Sequence, residues 1–125
     1  MNIHDLDNFT IGYIECALWA SMDDDDKPLD DNYGPEDIES ATLLEMIGDC
    51  GRFQKENDEL LTIAISTGGR TLSDCGHDLW LTRNRHGAGF WDRGLGVTGE
   101  KLTEAAHSYG SFDLYVGDDG KLHGI

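Results

Sequence analysis

Four adjacent aspartates, Asp23 to Asp26, open the stretch DDDDKPLDDNYGPED at residues 23–37. Four like charges in succession cannot pack in an apolar interior, and Pro28, Gly34 and Pro35 stop any regular element there. The stretch therefore reads as an exposed loop that divides whatever folds before it from whatever folds after it. A loop of this length is either functional or mobile. Leu29 and Tyr33 are its candidates for pinning it to the body of the fold.

Both flanks carry helical spacing. Residues 8–21 place Phe9, Tyr13, Cys16, Ala17 and Ala20 at three- and four-residue steps, widened by Ile14, Leu18 and Met22, with Asn8 as candidate N-cap. Residues 36–66 read as the main helix, with a break near Ser40. Leu43, Met46, Ile47, Cys50, Phe53, Leu60, Leu61 and Ala64 form its stripe. Asn57 interrupts that stripe, as a polar residue that sets register does. Glu36, Asp37 and Glu39 suit the positive end of the helix dipole, and Gly68-Gly69 marks a stop.

The remainder changes character. Bulky residues that partly alternate at 78–83, a Gly-Ala-Gly, and then Phe90-Trp91-Asp92 predict a β-hairpin of 78–83 with 88–92. Residues 98–109 predict a short helix capped by Thr98, with Leu102, Ala105, Ala106 and Tyr109 inward. Phe112, Leu114 and Val116 alternate with polar neighbours, and Asp119-Gly120 supplies a second hairpin turn. The expected fold is a single α+β domain over 1–125. N-terminal helices (1–66, with the exposed acidic loop 23–37) would pack on a small antiparallel sheet that, with one helix, makes up 77–125.

Charge is divided as sharply as structure. Residues 1–66 hold 17 acidic and three basic residues, a net of −14, whereas residues 67–125 hold eight and six, a net of −2. An excess of this size opposes direct binding to a nucleic-acid backbone, which requires clustered Lys and Arg. No apolar run approaches the length of a membrane span. Three widely spaced cysteines, Cys16, Cys50 and Cys75, do not resemble a disulfide framework, and the acidic N-terminus does not resemble a secretory signal. The reading is a reduced, cytoplasmic protein.

The densest chemistry lies in GHDLWLTRNRHGAGFWDRG, residues 76–94. This segment resembles one found in a family of small acidic phage and prophage proteins, with the pattern GHD-aromatic-WLTRN-x-HGAGFWDRG followed by a helix and DLYVGDDGK. Gly76, His77, Asp78, Trp80 to Asn84, His86 to Gly94 and Asp113 to Lys121 carry the resemblance. It extends to the LW…DDD…PLD-x-NY and DC…FQ-x-EN runs of the first half. Leu79 stands where an aromatic is usual, and Arg85 where a small residue is usual. The resemblance implies a phage setting and no particular reaction.

Two surfaces follow as functional candidates. In the first, Asp23, Asp24, Asp25, Asp26, Glu45, Asp49, Glu56 and Glu59 imitate a phosphate array and occupy a basic groove of a host protein or ribonucleoprotein complex. DNA presents one charge per ~1.7 Å of duplex axis, so a mimic needs many carboxylates on one side. Such a chain would be a phage accessory or anti-defence inhibitor, in the manner of an anti-CRISPR or antirestriction protein. In the second, His77, Arg83, His86, Trp91, Asp92 and Arg93 form a small enzyme or ligand site on the hairpin, with His and Asp as acid–base groups and Arg holding an anion. That site requires its polar groups to converge, and no known catalytic spacing is met.

Other chemistries are less well supported. Arg83, Arg85, Arg93, Trp80, Phe90 and Trp91 offer a stacking surface for single strands, against the charge of the whole chain. Cys75, His77 and His86 lack the paired spacing of a zinc site, and Asp23–Asp31 lacks the glycine and distal glutamate of a calcium loop. No metal and no cofactor is expected. The sequence does not specify an oligomeric state.

Overall fold

The structure, a computed structural model, describes residues 5–125. Among the described residues, five α-helices and one small hairpin surround a continuous core: α1 (Asn8–Ala20), α2 (Ser40–Glu56), α3 (Asp58–Ser66), α4 (Leu72–Arg83), α5 (Val97–His107), β1 (Leu114–Val116) and β2 (Leu122–Gly124). The architecture is α+β, and helix predominates.

The central contact is α1 against α4. Two glycines permit it. A Cβ at Gly12 would strike the backbone of Ser73, and one at Gly76 would strike the Phe9 carbonyl oxygen. With no side chain at either crossing point, the helices approach backbone to backbone. Aromatic rings fill the space around this crossing. Phe53 stacks between Phe9 (centroids 5.9 Å apart) and Phe90 (5.8 Å). Trp80 meets Tyr13 edge-on at 5.4 Å and Phe112 at 6.2 Å.

The predicted hairpin of 78–83 with 88–92 is not formed. Residues 78–83 belong to α4, and Phe90–Asp92 is a single 3-10 turn. The physical reason is burial: Cys75, Gly76 and every residue from Asp78 to Arg83 are enclosed. A helix buried on nearly all sides has no polar face, and its sequence loses the 3.6-residue period. A local signal does mark its start. Thr71-Leu-Ser-Asp74 is a capping box, in which Thr71 Oγ1 accepts the Asp74 N–H (3.0 Å) and Asp74 accepts the Thr71 N–H (3.1 Å). The helix ends in a Schellman turn. The His86 N–H reaches the Leu81 carbonyl (2.9 Å), the Arg85 N–H reaches that of Thr82 (3.0 Å), and Arg85 sits at φ +57°.

Smaller departures have local causes. The predicted helix 36–66 is two helices separated at Asn57, whose N–H (3.0 Å) and side-chain amide (2.9 Å) both donate to the Phe53 carbonyl. The polar residue read as a register marker is the point where the helix breaks. Residues Pro35–Asp37 form a separate 3-10 turn, and α2 begins at Ser40, capped by the Glu39 carboxylate. The cap of α1 is Asp7, not Asn8, through a 2.8 Å bond from the Thr10 N–H. Gly96, not Thr98, precedes α5.

The second hairpin forms as expected, with Tyr115 opposite His123. It is tied to the start of α2: the Glu39 N–H donates to the Leu122 carbonyl (2.8 Å) and the Gly124 N–H donates to Thr42 Oγ1 (3.1 Å). The acidic loop is also organised. Met22 and Pro28 pair across its base, Asp23 and Lys27 close it (2.8 Å), and Leu29 is fully buried. Asp26, at its tip, takes φ +59°.

Candidate functional site

Arg83 and Arg93 of the 76–94 segment are engaged within the fold, whereas Arg85 is exposed. Asp78 has a side chain only 1% exposed and is held from two sides. Arg70 Nη2 lies 3.0 Å from one carboxylate oxygen, and Arg93 donates from Nε and Nη2, each at 3.0 Å, to the other. Arg83 is buried and makes four bonds: to Tyr13 Oη (2.9 Å), Asp49 Oδ2 (2.9 Å) and the carbonyls of Gly110 (2.8 Å) and Tyr109 (3.2 Å). Burial alone would discourage its charge, but Tyr13 and Asp49 outweigh that and hold its pKa above the ordinary arginine value. Both clusters join residues apart in sequence and commit Arg83 and Arg93 to partners within the fold; Arg70 Nε is buried without a hydrogen-bond partner.

The other proposed members of the ligand site lie apart. His86 is exposed beyond the end of α4, and His77 sits half-buried on another depression. Trp91 and Asp92 are exposed. The structure thus brings Arg93 to Asp78 but does not gather His77, Arg83, His86 and Asp92 around a common point. Among the described residues no group of three or more His, Cys, Asp or Glu side chains is placed to hold a metal ion. All three cysteines are buried free thiols. Burial pushes Cys16 up to about 12 and Cys75 up to about 11, and raises Cys50 as well, so none is a ready nucleophile at neutral pH.

The carboxylates proposed to face a partner fall into three situations. Asp24, Asp25 and Asp26 are exposed on the loop, whereas Asp23 accepts the N–H groups of Asp25 (2.8 Å) and Lys27 (3.0 Å) and shapes it. Glu45, Glu56 and Glu59 are exposed on α2 and α3, and Glu56 accepts the Tyr109 hydroxyl (3.0 Å). Asp49 is a fold residue, bound between Arg83 (2.9 Å) and Arg52 (3.2 Å).

A surface that sequence reasoning missed surrounds Trp19, near the end of α1. Trp19 is 58% exposed and Met22 is 52% exposed. On one side Trp19, Met22, Pro28, Leu81 and Ala88 line an open apolar depression of about 480 Å³ with His86 at its rim. On the other, Trp19 and Tyr33 share a depression of about 460 Å³ with Glu15, Asp30 and His77. The available signal was Trp19 itself, a large apolar residue that falls off the stripe of α1 and four residues before the aspartate run.

Comparisons with protein-family models, with curated proteins and with solved structures return no match. Among the described residues no helix is long and apolar enough to cross a membrane.

Proposed function

We propose that the chain is a binding protein that acts by occupying a partner's surface. More particularly, it is a phage-type accessory protein that inhibits a host protein or ribonucleoprotein complex handling nucleic acid. It works in the host cytoplasm, and its carboxylates stand in for phosphates.

The observation that carries this reading is the unequal use of charge. Arg70, Arg83 and Arg93 are engaged by Asp78 and Asp49 within the fold, and Arg52 is engaged by Asp49. Asp24, Asp25, Asp26, Glu45, Glu56 and Glu59 are exposed and enter no ion pair among the described residues. Exposed carboxylates that enter no close ion pair are free to steer and hold a basic partner. The resemblance of the 76–94 segment to phage proteins supplies the setting.

The test is to capture the partner from host cells on the tagged protein, purify it, and measure its affinity for variants at rising salt. Binding should weaken with salt, weaken when Glu45, Glu56 and Glu59 are changed to Lys, and be competed by duplex DNA. Asp49 is unsuitable for this purpose because its reversal would strand Arg83. Affinity indifferent to salt and to all three reversals would overturn the reading.

A further inference from the structure

We infer that the two depressions flanking Trp19 form a docking site for a cationic segment of a protein partner. An arginine or lysine would seat beside Trp19 and Tyr33, and an adjacent apolar side chain would seat on Met22, Leu81 and Ala88. This deepens the binding-protein reading and rests on it.

Three observations carry the inference. First, Trp19 and Met22 stand more than half exposed (58% and 52%) at the end of a helix whose neighbouring residues Cys16, Ala17 and Leu18 are buried. Contiguous apolar surface kept in water marks an interaction site, and tryptophan is the residue type most enriched at binding hot spots. Second, the two sides of the ridge differ in chemistry. The Tyr33 side combines two aromatic residues with the carboxylates of Glu15 and Asp30, a setting for a cation over a ring face. The Met22 side is apolar. No lysine or arginine lines either depression. Third, the charge near the ridge is predominantly negative, with Lys27 and Arg85 the exposed cations adjacent in sequence to its lining residues Pro28 and His86. Exposed Asp24, Asp25 and Asp26 follow Met22, and the carboxyl end of the α1 dipole adds to them.

Charge complementarity selects the occupant. A nucleic-acid backbone and a second copy of this chain would each bring further negative charge to an acidic rim. A basic segment with an apolar anchor is drawn by the rim and held by the ridge. The surface is also firm. The Leu29 N–H donates to the Ser21 carbonyl (2.9 Å) and Asp23 braces the loop, so little order has to be gained on binding.

The experiment uses fluorescence anisotropy at about 0.15 M salt with a labelled short peptide in which arginines flank a central leucine. The control peptide has glycine in place of that leucine. The leucine peptide should bind about tenfold more tightly than the glycine peptide, and Trp19→Ala and Met22→Lys should each remove about that factor. Joint Glu15→Lys and Asp30→Lys should weaken both peptides. Glu104→Lys, a reversal of the same sign on α5, should change affinity by less than about twofold. Both Trp19 and Met22 are exposed, so the variants should melt like the parent by circular dichroism.

Equal affinity for the two peptides, or an unchanged affinity in Trp19→Ala and Met22→Lys, would sink the docking site. So would self-association that depends on Trp19, or binding of duplex DNA at the ridge. The wider reading fails separately. If the captured partner responds to Glu45, Glu56 and Glu59 but not to Trp19, acidic binding stands and only the docking site falls. If it responds to none of them nor to salt, both fall.

Discussion

The segment 70–93 and the loop 22–28 hold the conspicuous charge clusters of the chain, and the fold uses them in opposite ways. In the first, the buried charges have partners: Asp78 lies between Arg70 and Arg93, and Arg83 between Asp49 and Tyr13, while Arg85 and Asp92 stay exposed. In the second, the three aspartates at the tip face water while backbone hydrogen bonds and Asp23 hold the shape. The contrast teaches that local charge density does not indicate a functional surface. A buried ion pair is expensive to desolvate and worse to break, so it constrains the fold. An exposed carboxylate adds little stability and is free to act on a partner.

The strongest way to break the comparison is to remove the buried partners. Arg83→Ala leaves the Tyr13 hydroxyl, the Gly110 and Tyr109 carbonyls and one side of Asp49 unsatisfied, and should cost about 4 kcal/mol; Asp78→Ala strands two guanidinium groups and should cost about 3 kcal/mol. Urea unfolding measures both. A loss below about 1 kcal/mol in either would mean that the pairs carry no more weight than surface bridges. Gly76→Ala tests the crossing that places these pairs. Its methyl group meets the Phe9 carbonyl oxygen, and the forced separation of α1 and α4 should cost about 2 kcal/mol by the same assay.

Carboxylate caps give a pH-dependent intermediate case. Asp74 is held below its ordinary 3.8 by the Thr71 N–H and hydroxyl and by Arg70. At Asp7 burial pushes upward, but bonds from Thr10 and Gln54 prevail and the pKa is lowered. A carboxyl whose folded pKa lies below its unfolded value contributes stability above the unfolded value, and loses it as pH falls through the folded one. Stability should therefore drop as pH is taken below about 4. Thr71→Ala should cost about 1 kcal/mol at neutral pH and flatten part of that drop, as followed by urea midpoints across the acid range.

The smallest effects sharpen the other side of the comparison. Arg85 occupies a left-handed position at φ +57° that glycine adopts freely, and Arg85→Gly should stabilise by about 0.5 kcal/mol in thermal melts. Changing Asp24, Asp25 and Asp26 together to Asn should move stability by less than about 0.5 kcal/mol. A loss as large as that of Asp78→Ala would erase the distinction between the two regions.

Much of the fold was legible where one face of an element meets water. The stripe Phe9, Tyr13, Cys16 and Ala17 marked α1, and Met46, Cys50 and Phe53 marked α2; all seven are buried. The alternation of Phe112, Leu114 and Val116 ahead of Asp119-Gly120 marked the closing hairpin. Legibility failed at 78–83, where burial on all sides erased the period and alternation between bulky residues imitated a strand. The candidate site was less legible still. Arg83 and Arg93 looked like ligand-binding groups because their partners, Asp49 and Asp78, are 34 and 15 residues away. Trp19 drew no notice because a single off-stripe aromatic is common on surfaces.

By itself the sequence determined the division of the chain at the acidic loop, the helical first half, the terminal hairpin and the unequal charge of its two halves. These follow from properties that act over a few residues: like-charge repulsion, helical and strand periods, and turn chemistry. Only the tertiary structure decided that the first part of the His-, Arg- and Trp-rich segment, through Arg83, is an enclosed helix, that Asp78, Arg83 and Arg93 are paired, and that Trp19 stands exposed between two depressions. Those outcomes depend on which distant side chains meet and which are left facing water, and no local pattern encodes that.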